Sequence, residues 1–490
     1  MKFLSTRNND INATSAQAIS MGIAPNGGLF VPERIPTLNF ADFVRLRKMR
    51  YHQRTATIIS QFLTDFTGNE ILHFAEKAYI DNFPFDVAPV VRIDNSTAML
   101  ELFHGPTCAF KDMALQILPY LLTASLEKTN ENRNVCILVA TSGDTGKAAL
   151  EGFKDVYKTC VIVFYPENGV SAVQKMQMVT QSGSNVFVCG VQGNFDDAQN
   201  GVKEIFADKS ICDSLNKKKI FLSSANSINF GRLVPQIAYY FSAYLDLNPL
   251  FGQSVNICVP TGNFGNILAA YYAKKMGLPV NKIICASNQN NILTDFIKTG
   301  TYNLERDFVS TISPSMDILI SSNVERLLFD LTESDGEKVS HYMKKLKEDS
   351  KYTLDSAEQK KLSEHFAAGY SSEDDTKATI KAEFARVNYL ADPHTAVALK
   401  VLSDYRAETS DDTKTIVAAT ASPYKFCESV LGSLDGKEYK SSTALFYKLY
   451  QKTKIPIPKP LVDLRKSQTR FEDSVDKSKM GMAVKQILKV

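Results

Sequence analysis

The run SVNICVPTGNFGNILAAYYAKKMG, residues 254–277, decides how this chain folds. Its opening SVNICVP is apolar and partly β-branched, and reads as a buried strand ending at Pro260. A loop containing Gly262 and Gly265 follows, and a helical pattern begins near Asn266. Glycines there let the backbone turn tightly and aim N–H groups outward. With the positive end of the helix, those donors make a site for a phosphate. The spacing is not GxGxxG, so no dinucleotide fingerprint is present, and a lone GxxG also fits a plain strand-to-helix turn.

Working outward, short β-branched runs recur: VCILVA (135–140), CVIVFYP (160–166), NVFVCG (185–190), KIFLSSA (219–225), KIICASN (282–288) and TIVAATA (415–421). Most are separated by helical patterns. Such alternation predicts an α/β fold of mostly parallel, doubly wound sheets with helices on both faces. There are too many strands for one small sheet, so two lobes are expected. The expected spans are residues 93–250 for the first lobe and 251–490 for the second. Residues 1–92, with HQRTATIISQFLTDF, read as a mainly helical N-terminal region. The stretch 334–386 is rich in Lys, Glu, Asp and Ser, and is expected to form charged helices outside the second lobe.

Composition narrows the function. A chain of 490 residues with 44% apolar and 22% charged residues fits a multidomain globular enzyme. Its net charge of +3 is small, and no basic arm is present, which disfavours nucleic acid as a partner. No apolar run is long enough to cross a bilayer, and MKFLSTRNNDINA lacks a signal-peptide pattern, so the cytoplasm is the expected compartment. The eight cysteines form no CxxC pair and read as free thiols. The six histidines show no HExxH or similar spacing, so no metal site is expected.

Two further stretches bear on chemistry. FHGPTCAFKDMALQ (103–116) sets Lys111 in an apolar run. Such a lysine either snorkels to water or is desolvated into a nucleophile that forms a Schiff base. ATSGDTGKAAL (140–150) repeats the loop after a strand, with Gly143 and Gly146 beside the hydroxyls of Thr141, Ser142 and Thr145. It is not a nucleoside-triphosphate loop, because Thr141 stands where glycine is required and Ala148 where Ser or Thr is required. In an open α/β sheet both loops would face the crevice at the carboxyl ends of the strands.

Together, HGPTCAFKDMALQ, ATSGDTGKAAL, PTGNFGN and SPSMDILISSNVERLLF (313–329) resemble the threonine synthases of long-chain type. STR (5–7), PNGGLFVPE (25–33), NSINFGRLVPQ (226–236), DPHTAVA (392–398) and TASPYKF (420–426) extend the likeness, in order, over nearly the whole chain. The resemblance implies a fold-type-II enzyme with pyridoxal 5'-phosphate as cofactor. Such an enzyme is a lyase that makes L-threonine and phosphate from O-phospho-L-homoserine and water, ending threonine biosynthesis. By the same resemblance Lys111 holds the cofactor, and Gly262, Asn263, Phe264, Gly265 and Asn266 grip its phosphate. Thr420 is placed near the pyridine nitrogen. Ser142, Gly143, Asp144, Thr145 and Gly146 are placed where the substrate carboxylate binds.

Related enzymes often carry asparagine where Asp144 stands. A carboxylate there would repel the cofactor's phenolic oxygen unless turned away or protonated. Arg232 and, second to it, Lys147 are the cations expected to meet the substrate phosphate, with Asn226 and Ser227 as neutral donors. A surface arginine at a helix start is the competing reading of Arg232. His104 and His394 are candidates for proton transfer or for structural histidines. Glu325 and Arg326 are expected to pair on a helix surface or lobe interface, and Ser315 and Asp317 lie in a motif that could reach the site. The family's TAHPAKF stands here as TASPYKF, which alters the surroundings through Ser422 and Tyr424. Monomers and homodimers both fit the resemblance. Two other functions share its early steps or its binding: a phospho-lyase or dehydratase giving 2-oxobutyrate, and a catalytically silent ligand-binding homologue.

Overall fold

The strand expected at 254–260 forms over Val255–Pro260, and each of its residues is buried. A strand buried on both faces belongs inside a sheet covered by helices. The computed structural model describes residues 1–167, 169–247 and 252–490; the expected lobe boundary at 250/251 lies outside the described residues. Val255–Pro260 is third in a six-stranded sheet ordered Phe366–Tyr370, Val280–Ser287, Val255–Pro260, Thr415–Ala419, Thr97–Glu101 and Val90–Arg92. Neighbours run parallel except Val90–Arg92, which is antiparallel to Thr97–Glu101. A second sheet, parallel throughout, is ordered Ser474–Asp476, Val186–Gln192, Thr159–Pro166, Asn134–Ala140 and Ile220–Ser223. The architecture is α/β with two mostly parallel sheets.

Strand pairing cuts across the expected spans. Thr97–Glu101, inside the span 93–250, pairs with Thr415–Ala419 of the other sheet. Ser474–Asp476, near the C-terminus, adds an edge to the sheet of the first span. Local periodicity signals a strand but not its partner, and these partners lie hundreds of residues away. The charged stretch 334–386 also departs from its reading. It forms the helices Gly336–Glu348, Ser356–His365 and Glu373–Val387, but Phe366–Tyr370 between them is the edge strand of the larger sheet. The N-terminal region has the expected helices (Ser15–Met21, Phe40–Arg47, Tyr51–Ser60 and Gly68–Tyr79) and also an antiparallel sheet of Phe3–Ser5, Asn8–Ala13 and Phe30–Pro32. Two of those strands have three residues each, and the third, NNDINA, is polar and mostly exposed, so no apolar alternation marks them.

The helix Phe230–Leu247 is buried on all sides save at Asp246, as its run of apolar and aromatic residues demands. No helix of the described residues is long and apolar enough to cross a membrane. The N-terminal region is tied down by charge. Glu325 takes Arg7 Nη2 at 2.8 Å and Nε at 2.9 Å, and also the Thr6 hydroxyl. Arg326 is fully buried and donates to the Phe30 carbonyl at 3.0 Å, to the Ile228 carbonyl and to Asn323 Oδ1. The two residues thus do not pair with each other but both fasten the N-terminal sheet, whose Ser5 and Phe30 are opposed. Arg326→Leu would strip all three acceptors of their donor. Chemical denaturation of that variant is expected to show a loss of about 3 kcal/mol or more; a loss below about 1 kcal/mol would contradict this role.

Candidate active site

At the end of Val255–Pro260 the chain turns through residues 261–264 into the helix Gly265–Lys275. Gly262 is needed there because a Cβ on it would stand 2.4 Å from the Ser315 carbonyl oxygen. Phe264 caps the helix in the left-handed region, φ 60°, with its ring against Phe366 at 5.8 Å. The loop's carbonyls are engaged from behind: Ser321 Oγ donates to Gly262 O at 2.7 Å, and Asn323 Nδ2 donates to Asn263 O at 3.0 Å. Among the described residues nothing accepts from the N–H groups of Asn263, Phe264, Gly265 or Asn266. Asn266 Oδ1 is held by Tyr239 at 2.6 Å and by the Tyr240 hydroxyl, while its Nδ2 is buried without a partner. The donors thus converge unpaired at a helix N-terminus, which is an anion site.

The second loop narrows its expectation. Thr141 Oγ1 accepts from Gly143 N at 3.0 Å and Gly146 N at 2.9 Å, so those two N–H groups stabilise the turn itself. Gly143 adopts φ 130°, where a Cβ would also strike the Gln174 side chain. Ser142 and Thr145 are partly exposed beside it. Asp144 opens the helix Asp144–Gly152, but its carboxylate is turned to Lys425, with Oδ1 2.8 Å from Nζ and 3.0 Å from Gln174 Nε2. Burial pushes that carboxyl up, yet Lys425 and Lys111 together hold it well below the usual carboxylate range. Lys425 lies in TASPYKF and was not singled out as functional.

Lys111 stands just before the short helix Asp112–Leu115 and donates to Ser315 Oγ at 3.3 Å. Its residue is partly exposed, but the amine is enclosed, and burial pulls it down to about 8. Asp144 opposes that shift, and Arg232 and Lys425 add to it. Ser315 N–H donates to His394 Nε2 at 3.2 Å, and His394 Nδ1 lies 2.7 Å from Asp392 Oδ1. This arrangement puts the ring proton on Nδ1. Thr420 follows the strand Thr415–Ala419; its carbonyl accepts from Phe110 N at 2.8 Å, which sets it next to Lys111 in the chain-to-chain register. His104, by contrast, pairs with Glu101 at 2.7 Å.

Arg232, on the first turn of Phe230–Leu247, is 4% exposed. Its Nη1 donates to the Ala225 carbonyl at 2.8 Å, its Nε has no partner, and among the described residues no carboxylate pairs with it. Burial lowers it to about 10. The surface reading of this arginine is therefore set aside. Lys147 is engaged by Glu151 at 2.8 Å and by Gln181. Asn226 is exposed, and the Ser227 carbonyl accepts from Asn323. Asp317 accepts from Asn288, Asn290 and Thr311 and so braces the loop that carries Ser315. Tyr424 faces the C-terminal segment through Ile455 O at 2.6 Å. Among the described residues no group of three or more His, Cys, Asp or Glu side chains could hold a metal ion.

An amine lowered to about 8 is neutral, hence reactive, over a pH range where surface lysines are charged. In cofactor-stripped protein, acylation of Lys111 followed by mass spectrometry is expected to rise with a midpoint near 8. A midpoint no different from that of the exposed lysines would contradict the burial argument.

Residues 2–79 match the threonine synthase N-terminus, 88–421 the pyridoxal-phosphate-dependent enzymes, and 395–487 the threonine synthase C-terminal family. The chain is 40% identical over 485 residues to threonine synthase-like 1 of Homo sapiens, covering 95% of this chain and 64% of that protein. It therefore spans just under two thirds of that relative's length. It is 38% identical over 435 residues to threonine synthase of Pseudomonas aeruginosa, covering 88% and 90% of the two chains. The crystal structure of pyridoxal-phosphate-bound threonine synthase from Brucella melitensis superposes with a TM-score of 0.89 at 35% identity, over the full length of both chains. The chain belongs to the threonine synthase family of pyridoxal-phosphate-dependent enzymes.

Proposed function

We propose that this chain is a threonine synthase, a lyase that converts O-phospho-L-homoserine and water to L-threonine and phosphate. The observation that carries the reading is Arg232, a buried guanidinium with no carboxylate partner among the described residues, acting with the enclosed amine of Lys111 as its electrostatic neighbour. A buried cation without a counter-ion is built to receive an anion.

The residues fit pyridoxal phosphate. Unpaired N–H groups of residues 263–266 and the free Nδ2 of Asn266 would hold its phosphate, and Lys111 Nζ would hold its aldehyde carbon. Thr420 would face the ring nitrogen with a hydroxyl, which does not fix a proton there as a carboxylate would. Bound there, the cofactor supplies an electron-withdrawing ring that stabilises negative charge on the carbon beside the substrate nitrogen.

The chain's own groups do the rest. Ser142 and Thr145 bind the substrate carboxylate with N–H and hydroxyl donors. Arg232 Nε and the free face of its guanidinium bind the phosphate that leaves. Once the substrate amine has taken its place, Lys111 Nζ removes the α-proton and later returns a proton, a role suited to an amine poised near 8. Ser315 Oγ orients that nitrogen through the bond it already accepts.

A second reading has its own observation: the likeness to threonine synthase-like 1 is as high as that to named synthases. One incubation separates them. Purified protein with pyridoxal phosphate and O-phospho-L-homoserine is expected to yield threonine and phosphate in equal amounts. Formation of 2-oxobutyrate without threonine would assign elimination alone, and no product would leave a ligand-binding homologue. Arg232→Leu is expected to lower kcat/KM about 100-fold, chiefly through KM, since charge-assisted bonds to a phosphate are lost. Gly262→Ala is expected to weaken pyridoxal-phosphate binding about tenfold or more, measured by absorbance titration, because the loop must retreat from Ser315.

A further inference from the structure

Lys425 is fully buried, and the reaction as derived gives it no part. Its ammonium lies 2.8 Å from Asp144 Oδ1 and donates to the Thr107 carbonyl at 2.9 Å. Thr107 is itself fixed: Asp112 accepts from its N–H at 2.8 Å and its hydroxyl at 2.7 Å. On the other side Gln174, from the helix Ala172–Val179, donates to the same Asp144 oxygen at 3.0 Å. The carboxylate is therefore gripped from two directions at the mouth of the helix whose preceding loop presents donors. Left unpaired, its charge would face any anion entering that loop.

The charges around Lys111 are Asp144, Arg232 and Lys425. Near Lys425 stand Asp144, Asp112 and the buried thiol of Cys108, with Lys147 beyond them paired to Glu151. Asp144 is thus the anion shared by Lys111 and Lys425, one of which it touches and one of which it influences across the site.

We propose that Lys425 is a positioning residue that holds the Asp144 carboxylate ionised and turned aside, so that anionic ligands meet donors and not a negative charge, and that this balanced pair governs protonation of the Lys111 nitrogen. The proposal rests on Lys111 holding the cofactor. It extends the reading above from the groups that touch ligands to the pair that sets their electrostatics.

The test is a pH titration of the absorbance of the lysine-bound cofactor in the holoenzyme. Lys425→Met removes a cation and leaves the anion, which favours the proton on nitrogen, so the midpoint moves to higher pH by about one unit. Asp144→Asn removes the anion and leaves the cation, so the midpoint falls. The double variant leaves neither charge, and its midpoint returns toward that of the wild type. Lys425→Gln keeps a donor for the Thr107 carbonyl and is expected to shift the midpoint in the same direction as Lys425→Met, which covers the case of a misfolded methionine variant. Midpoints that do not move, or that move the same way in both single variants, overturn the proposal. If the wild type never develops the absorbance, it is the assignment of Lys111 that fails.

Discussion

An ammonium in an apolar interior is destabilised unless an anion or several acceptors surround it, and this chain sets two lysines, Lys111 and Lys425, against one carboxylate, Asp144. The Lys111 amine feels Arg232 and Lys425 as like charges, and Asp144 opposes them. Lys425 is neutralised in place by Asp144. That leaves Lys111, whose amine burial has made less basic, and Arg232, whose guanidinium has no counter-ion among the described residues. Both are pre-set to take up groups that carry negative charge or react with a neutral amine. Removing one member of such a buried pair costs about 3–5 kcal/mol, so the arrangement is also a structural commitment.

The rest of the fold holds that balance in place. Ser315 is the pivot, because each of its polar groups is engaged: the hydroxyl accepts from Lys111, the N–H donates to His394, and the carbonyl packs against Gly262. Asp392 anchors His394 through Nδ1 and, through Thr395, reaches the N–H of Thr420. The carboxyl ends of two strands, 255–260 and 415–419, are in this way locked to one loop. Asn323 carries the same rigidity outward, from the Asn263 carbonyl to Arg326 and so to the N-terminal sheet at Phe30. The N-terminal sheet thus bears on the placement of the loop that follows Val255–Pro260.

Much of the site could be read without coordinates. Strand-loop-helix punctuation is local, so the loop at 261–266 and its unpaired N–H groups followed from the glycines and the apolar run before them. Lys111 stood out because a single charge within an apolar segment is unusual. Other residues were opaque. Lys425 sits in a short run that resembles a plain turn, and its partner lies 281 positions earlier, so no spacing rule connects them. The partners of Glu325 and Arg326 are opaque for the same reason: both lie in the N-terminal sheet, about 300 positions earlier in the chain.

By itself, then, the order of residues determined the local grammar: which runs are strands, where the glycine-containing loops after two of them fall, and that Lys111 sits in an apolar run. These depend on hydrophobic period and backbone freedom, both properties of near neighbours. Only the tertiary structure decided which strands share a sheet, which cations keep a counter-ion and which are left without one. Pairing and burial are set by contacts between distant segments, and whether a charge is free is a fact about its surroundings, not about its place in the chain.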